Sequence, residues 1–255
     1  MSNKFAKYGS LENKIVFVTG GASGIGEEIV RGFADQSARI GLIDMDENAG
    51  TALVDELKGK GTDIELAVCD LREIDQLKAS FAGLQDHLGA ADILVNNAAR
   101  DDRHDWQDVT EEYYDDRIAT NLRHMFFAIQ AVAPGMIEAG SGSIINMGSN
   151  SWWEAGGGFP VYATSKAAVH GLTRTMARDL GQHRIRVNTV VPGWIMTERQ
   201  KTLWATPEGL ENHRERQCLP DLIDPVFVAR MVLFLASDDA AMCTASNYMV
   251  EAGSI

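Results

Sequence analysis

The chain has 255 residues, 45% of them hydrophobic and 23% charged, the size and balance of one ordinary globular domain. Its 36 acidic and 23 basic residues leave a formal charge of −13, which disfavours nucleic acid and anionic membrane surfaces because both need a basic footprint. The three cysteines, Cys69, Cys218 and Cys243, have neither zinc nor redox spacing, so reduced thiols and a cytoplasmic setting are expected.

The first 14 residues lack the apolar core of a signal peptide, and no later apolar run is long enough to span a membrane. "KIVFVTG" (14–20) reads as a first strand, and "TGGASGIG" (19–26) leads from it into a helix over 24–36. Gly20, Gly24 and Gly26 leave room for a tight turn and for a pyrophosphate against the helix N-terminus. The next strand, 38–44, ends in Asp44, near the offset of about 20 residues at which an acid binds an adenosine ribose. No Arg or Lys stands inside the turn or directly after Asp44 to neutralise a 2′-phosphate, so the expected cofactor is NAD, not NADP. Asp44 could instead cap the helix predicted over 48–59.

A third strand, 63–70, ends in Asp70, which could accept from an adenine amino group or cap the strand end. After a helix over 73–88, the strand 92–98 runs into "NNAA" (96–99), small residues that leave space for a flat ligand. A long helix over 110–139, a strand over 142–149, a helix over 161–181 and a strand over 185–193 follow. The segment 197–224, helical and polar with Pro207 and Pro220, reads as a lid or as a surface excursion. A helix over 225–236 and a last strand within 245–253 complete the chain. Near-continuous apolar strands alternating with amphipathic helices predict an α/β fold: one doubly wound parallel sheet, flanked by helices, in a single domain over 1–255.

Tyr162 and Lys166 stand at i and i+4, on one face of a helix, and no other tyrosine has a lysine at that spacing. A phenol near pKa 10 needs help to act as a base at neutral pH, and a neighbouring ammonium with the positive ring of an oxidised nicotinamide would supply it. Ser149, 13 residues earlier and just past a strand end, could hold a substrate oxygen. The same pair could also be no more than neighbours on a helix surface.

"TGGASGIG", "NNAA", Asn121 in "ATNLRHMF", Ser149, "YATSK" and "VVPGWIMT" together resemble the classical short-chain dehydrogenases/reductases from about residue 11 to the C-terminus. The resemblance implies a Rossmann-type domain, NAD(P)-dependent hydride transfer and usually a homotetramer. It implies Tyr162 as acid/base, Lys166 on the nicotinamide ribose, Ser149 on substrate and Asn121 holding a relay water. It also implies that Ser23 and Ile25 join the glycine turn in binding cofactor. Leu71 beside Asp70, Asn97 and Ala98 in "NNAA", and Pro192, Gly193, Ile195 and Thr197 in "VVPGWIMT" complete the implied cofactor set. "NNAA" for the commoner NNAG adds one methyl group, and "TASNYMVEAG" departs from the usual C-terminal pattern.

Segments 100–136, 148–153 and 235–244 resemble more narrowly the bacterial aldose 1-dehydrogenases of the galactose and D-xylose type. The implied reaction is oxidation of the anomeric C1 hydroxyl of an aldose to an aldonolactone, with no metal required. Sugars need aromatic faces together with polar groups, so Arg100, Asn150, Trp153 and Glu154 join Ser149 and Tyr162 as the expected substrate contacts. Trp152 could equally pack in the core or at a subunit contact, and "DDRHD" (101–105) could be a solvated, internally paired loop. The histidines, His104 and His124 included, are expected to be structural or surface residues. Polyol, hydroxy-acid and 3-oxoacyl substrates remain open, as does an NAD-sensing protein without turnover.

Overall fold

Runs of Val, Ile and Leu that are apolar on both faces form the strands of the computed structural model, which describes residues 5–254. Residues 1–4, part of the stretch read for a signal peptide, and residue 255 lie outside the described residues. The strands are β1 (Ile15–Thr19), β2 (Arg39–Asp44), β3 (Ile64–Val68), β4 (Ile93–Asn96), β5 (Gly142–Met147), β6 (Ile185–Pro192) and β7 (Asn247–Val250). All pair in parallel in the order β3-β2-β1-β4-β5-β6-β7. Chain direction across the sheet reverses between β1 and β4, and such a switch point opens a crevice at the carboxyl ends of the strands.

The helices in chain order are α1 (Gly24–Asp35), α2 (Glu47–Lys58), α3 (Ile74–Leu88), α4 (Glu111–Ile118) and α5 (His124–Ala139). They continue with α6 (Pro160–Leu180), α7 (Glu198–Leu203), α8 (Pro207–Glu215) and α9 (Pro225–Ala236). On one face of the sheet Ile29, Phe33, Leu53, Leu57, Val232 and Leu233 of α1, α2 and α9 pack on Val16, Val18, Ile40 and Leu42. On the other face Leu77, Phe81, Ile129, Val132 and Ala177 of α3, α5 and α6 pack on Phe17, Ile43, Leu94 and Ile144. Each fully buried large side chain contributes roughly 1.5–3 kcal/mol by leaving water. The two layers together fix the sheet between its helices. No helix among the described residues is long and apolar enough to cross a membrane.

One stretch differs from the sequence expectation, and two others agree with it in more detail. The helix expected over 110–139 is divided by a π-helical turn, Ala119–Arg123. There the Asn121 side chain donates to the Arg117 carbonyl at 3.0 Å, where an α-helix would direct a backbone N–H. The last strand is confined to Asn247–Val250 because Ala245 (φ 59) and Ala252 (φ 57) turn out of extended backbone on either side. Segment 197–224 holds two short helices, capped by the Thr197 and Thr206 hydroxyls, and a bridge between Ile195 and Ile223 closes its ends together.

Candidate active site

The crevice at the carboxyl ends of the strands widens into a cavity of about 1060 Å³. At one end the first turn is built on missing side chains. Gly20 has φ +64, and a Cβ there would lie 2.7 Å from the Ala98 Cα. A Cβ on Gly26 would lie 1.9 Å from the Gly20 carbonyl oxygen, so neither position accepts a larger residue. Asn97 Nδ2 holds the turn by donating to Gly20 O at 2.8 Å and Thr19 O at 3.2 Å. Ser23 makes no side-chain cap on α1, and Ser23, Gly24, Ile25 and Gly26 line the cavity. The first N–H groups of α1 therefore face this space with no capping side chain, at the positive end of the helix dipole. That arrangement fits a pyrophosphate.

Asp44 lines the same end. Its Oδ2 accepts from Ala22 N at 2.9 Å and its Oδ1 from Asp46 N at 3.0 Å. It does not cap α2; Asp46 does, accepting from Ala49 N. Asp70 lines the cavity with Leu71, but its carboxylate is engaged by the Arg72 guanidinium at 2.6 Å. Hydrogen bonds from Arg72 hold the Asp70 carboxyl below the usual carboxylate range. Asn97 and Ala98 line the middle of the cavity, facing Pro192, Gly193, Ile195 and Thr197.

At the other end the chain brings Ser149, Tyr162 and Lys166 together. Ser149 lies two residues beyond β5 and opens a short turn, its Oγ accepting from Ser151 N at 3.1 Å. Pro160 starts α6, which places Tyr162 in its first turn with Lys166 one turn later. Lys166 is 1% exposed; its Nζ donates to the Met147 carbonyl at 2.7 Å and lies 5.7 Å from the Tyr162 ring centre.

Burial lowers the Lys166 ammonium to about 7, with Asp101 opposing. Burial and then the Asp101 carboxylate push the Tyr162 phenol above its ordinary range, against the Ser149 hydrogen bond and Arg103. In the chain alone, burial therefore keeps the phenol up, and the expected help of an oxidised nicotinamide is not part of this balance. Asn121 is fully buried and does not line the cavity; its Oδ1 accepts from Arg100 N at 2.8 Å and so fixes the loop after β4.

Beyond Tyr162 the wall is polar and aromatic. Arg100, Asn150 and Glu154 line it, together with Asp101, Arg103, Phe159, Trp194, Gln200, Trp204 and His213. Asn150 Nδ2 donates to Glu154 at 2.5 Å and to Ser254 Oγ at 3.0 Å, and the Ser254 hydroxyl also bonds Glu154. Arg103 lies 4.2 Å over the Phe159 ring and 5.5 Å over Trp204. The "DDRHD" loop pairs outside itself: Arg199 donates to Asp102 at 2.6 Å and Gln200 to Asp101 at 2.7 Å.

A family model described as enoyl-(acyl carrier protein) reductase matches residues 20–254. The chain is 47% identical over 248 residues to the D-xylose 1-dehydrogenase of Caulobacter vibrioides, covering 97% of this chain and 98% of that protein. This chain belongs to the short-chain dehydrogenase/reductase family. A probable galactose dehydrogenase of Rhizobium meliloti is 40% identical, with 97% of each chain covered. Among solved structures, a 7α-hydroxysteroid dehydrogenase complexed with NADH and 7-oxo glycochenodeoxycholic acid superposes with a TM-score of 0.92. That match is 31% identical and covers 100% of this chain and 98% of the other.

Within this short-chain dehydrogenase/reductase, Trp153 is the one expected substrate contact that the structure does not bring to the cavity. It is 59% exposed and sits edge-on to Trp152, which in turn packs edge-on against His170. Sequence reasoning missed Phe159, Trp194 and Trp204 as wall residues. Trp194 stands inside "VVPGWIMT" and could have been found there; nothing local to Trp204 signals its approach.

Proposed function

We propose that this chain oxidises the anomeric C1 hydroxyl of an aldose, a hexose or pentose of the galactose or xylose kind, to the aldonolactone with NAD. The observation that carries this reading is the wall beyond Tyr162, where guanidinium, carboxylate and amide groups alternate with the Phe159, Trp194 and Trp204 rings. Apolar C–H patches on a sugar suit the rings, and its several hydroxyls suit the polar groups, whereas a steroid or acyl chain would call for aliphatic walls. The sugar-dehydrogenase names of the relatives at 47% and 40% identity support the same substrate class.

Bound NAD supplies the hydride acceptor and, in its oxidised form, a positive charge beside the phenol. The open N–H groups of α1 would hold its pyrophosphate and Asp44 its adenosine ribose. Pro192, Gly193, Ile195 and Thr197 would serve its nicotinamide end, and Lys166 the neighbouring ribose. The negative charge of Asp44 would repel a 2′-phosphate, which favours NAD over NADP.

Ser149 Oγ holds the C1 oxygen, and the Tyr162 phenolate removes its proton. The sugar ring oxygen stabilises positive charge developing at C1. Asn121 acts through Arg100, whose main chain it fixes. Segment 197–224 serves as the lid, since α7 reaches across the cavity to the loop after β4. We place the enzyme in the cytoplasm as a homotetramer.

The test is a panel of aldoses and polyols with NAD or NADP, following nicotinamide reduction. Aldoses with NAD should react and polyols should not. Tyr162→Phe should abolish turnover while NADH still binds, and full activity in that variant would sink the mechanism.

A further inference from the structure

His104 lies in the "DDRHD" loop after β4, with no part in the site described above, yet its contacts converge on the start of α6. Its main-chain N–H donates to the Gly158 carbonyl at 2.8 Å. Its Nε2 lies 3.3 Å from Val161 N. Its Nδ1 lies 3.0 Å from the Asp102 carbonyl and 3.0 Å from the Tyr113 hydroxyl.

Donor logic sets the state of the ring. Val161 N–H only donates, so Nε2 must carry the lone pair; the Asp102 carbonyl only accepts, so Nδ1 must carry the proton. The contacts therefore hold the ring with Nδ1–H toward the Asp102 carbonyl and the Nε2 lone pair toward Val161 N–H. Val161 belongs to the first turn of α6, where Phe159 at the N-cap position makes no side-chain cap. His104 thus accepts from a helix-start donor that its own helix leaves open. The residue after Val161 is Tyr162.

We propose that His104 is a positioning residue for Tyr162: the imidazole caps α6 by accepting from Val161 N–H and so sets the phenol against Ser149. This rests on the reading of Tyr162 as general base.

The experiment compares His104→Ala and His104→Gln in the full-length enzyme, by steady-state kinetics with an aldose from pH 5 to 9 and by NADH binding. His104→Ala should lower kcat about tenfold or more, since small misplacements of a reacting group cost up to about a hundredfold. Its affinity for NADH should match that of the wild type. His104→Gln places an amide oxygen that can accept from Val161 N–H, and it should recover most of kcat. An unchanged kcat in His104→Ala, or no recovery in His104→Gln, overturns the proposal. If the alanine variant does not fold, His104→Leu, which fills the site without an acceptor, takes its place, and a wild-type kcat there overturns the proposal. Full turnover by Tyr162→Phe would overturn both this inference and the reading beneath it.

Discussion

Lys166 Nζ donates to the Met147 carbonyl at 2.7 Å, and the lysine is 1% exposed. An ammonium so placed has one charge-assisted bond in exchange for its hydration, and burial lowers it from 10.5 to about 7. Below about pH 7 the folded and unfolded chains both hold this proton, and the full burial cost is present. Between about 7 and 10.5 the unfolded chain holds more protons, so this group makes stability rise with pH across that window. Lys166→Met should therefore stabilise the cofactor-free protein by about 1–4 kcal/mol at pH 6. Thermal melts should find the difference shrinking toward pH 10, while turnover is lost at every pH. A variant less stable than the wild type at pH 6 would contradict this.

Asp44 carries two roles that a pair of substitutions separates. It accepts from Ala22 N and Asp46 N, and it puts a negative charge at the adenosine end of the cavity. Asp44→Asn keeps an acceptor and removes the charge. Its preference for NAD over NADP should fall by about tenfold or more, the order of one lost charge contact. Asp44→Ala should lose affinity for both cofactors as well, because the turn loses its acceptors. Equal cofactor preference in the wild type and Asp44→Asn, measured as the ratio of kcat/KM values, would remove Asp44 as the discriminator.

Arg199 and Asp102 join α7 to the loop after β4 at 2.6 Å across 97 residues of chain. Arg199 is 41% exposed on its side chain, so the pair adds at most about 1 kcal/mol to stability. If segment 197–224 serves as the proposed lid, the effect of this pair should fall on the substrate end of the cavity. Arg199→Ala should raise KM for the aldose several-fold with NADH affinity and melting temperature nearly unchanged. The KM increase should fade in high salt, where the wild-type pair is itself screened. A KM equal to that of the wild type at low salt would mean that this contact does not shape the substrate end.

What the sequence made legible follows the range of the interactions involved. The parallel strands, α1 with its glycine turn, and the Tyr162–Lys166 pair on α6 are written in local patterns, so their positions agree with the structure to within a few residues. The π turn at Asn121 was hidden because 110–139 has no proline until Pro134 and reads as one continuous helix. The raised phenol of Tyr162 depends on burial and on Asp101, neither of which the Tyr-x-x-x-Lys spacing contains. The pairing of "DDRHD" with Arg199 and Gln200 joins residues almost 100 positions apart, beyond any local pattern.

The tryptophans measure the same limit. Adjacency to Ser149 made Trp153 the expected sugar-facing ring, yet neighbours in sequence diverge once the short turn Asn150–Trp152 begins. Trp153 ends 59% exposed against Trp152, while Trp204 reaches the cavity from the end of α7 and faces Arg103 at 5.5 Å. Trp153→Ala should change kcat/KM for an aldose by less than about threefold, since surface truncations away from partners cost about 0.5 kcal/mol. Trp204→Ala removes a wall ring and a support for Arg103, and should lower kcat/KM by about tenfold or more through KM, within the range of about 1–3 kcal/mol that such pocket contacts carry. The two variants are to be compared on the same sugar at saturating NAD. The reverse order, with Trp153 the more damaging, would return the sugar to the face that the sequence first suggested.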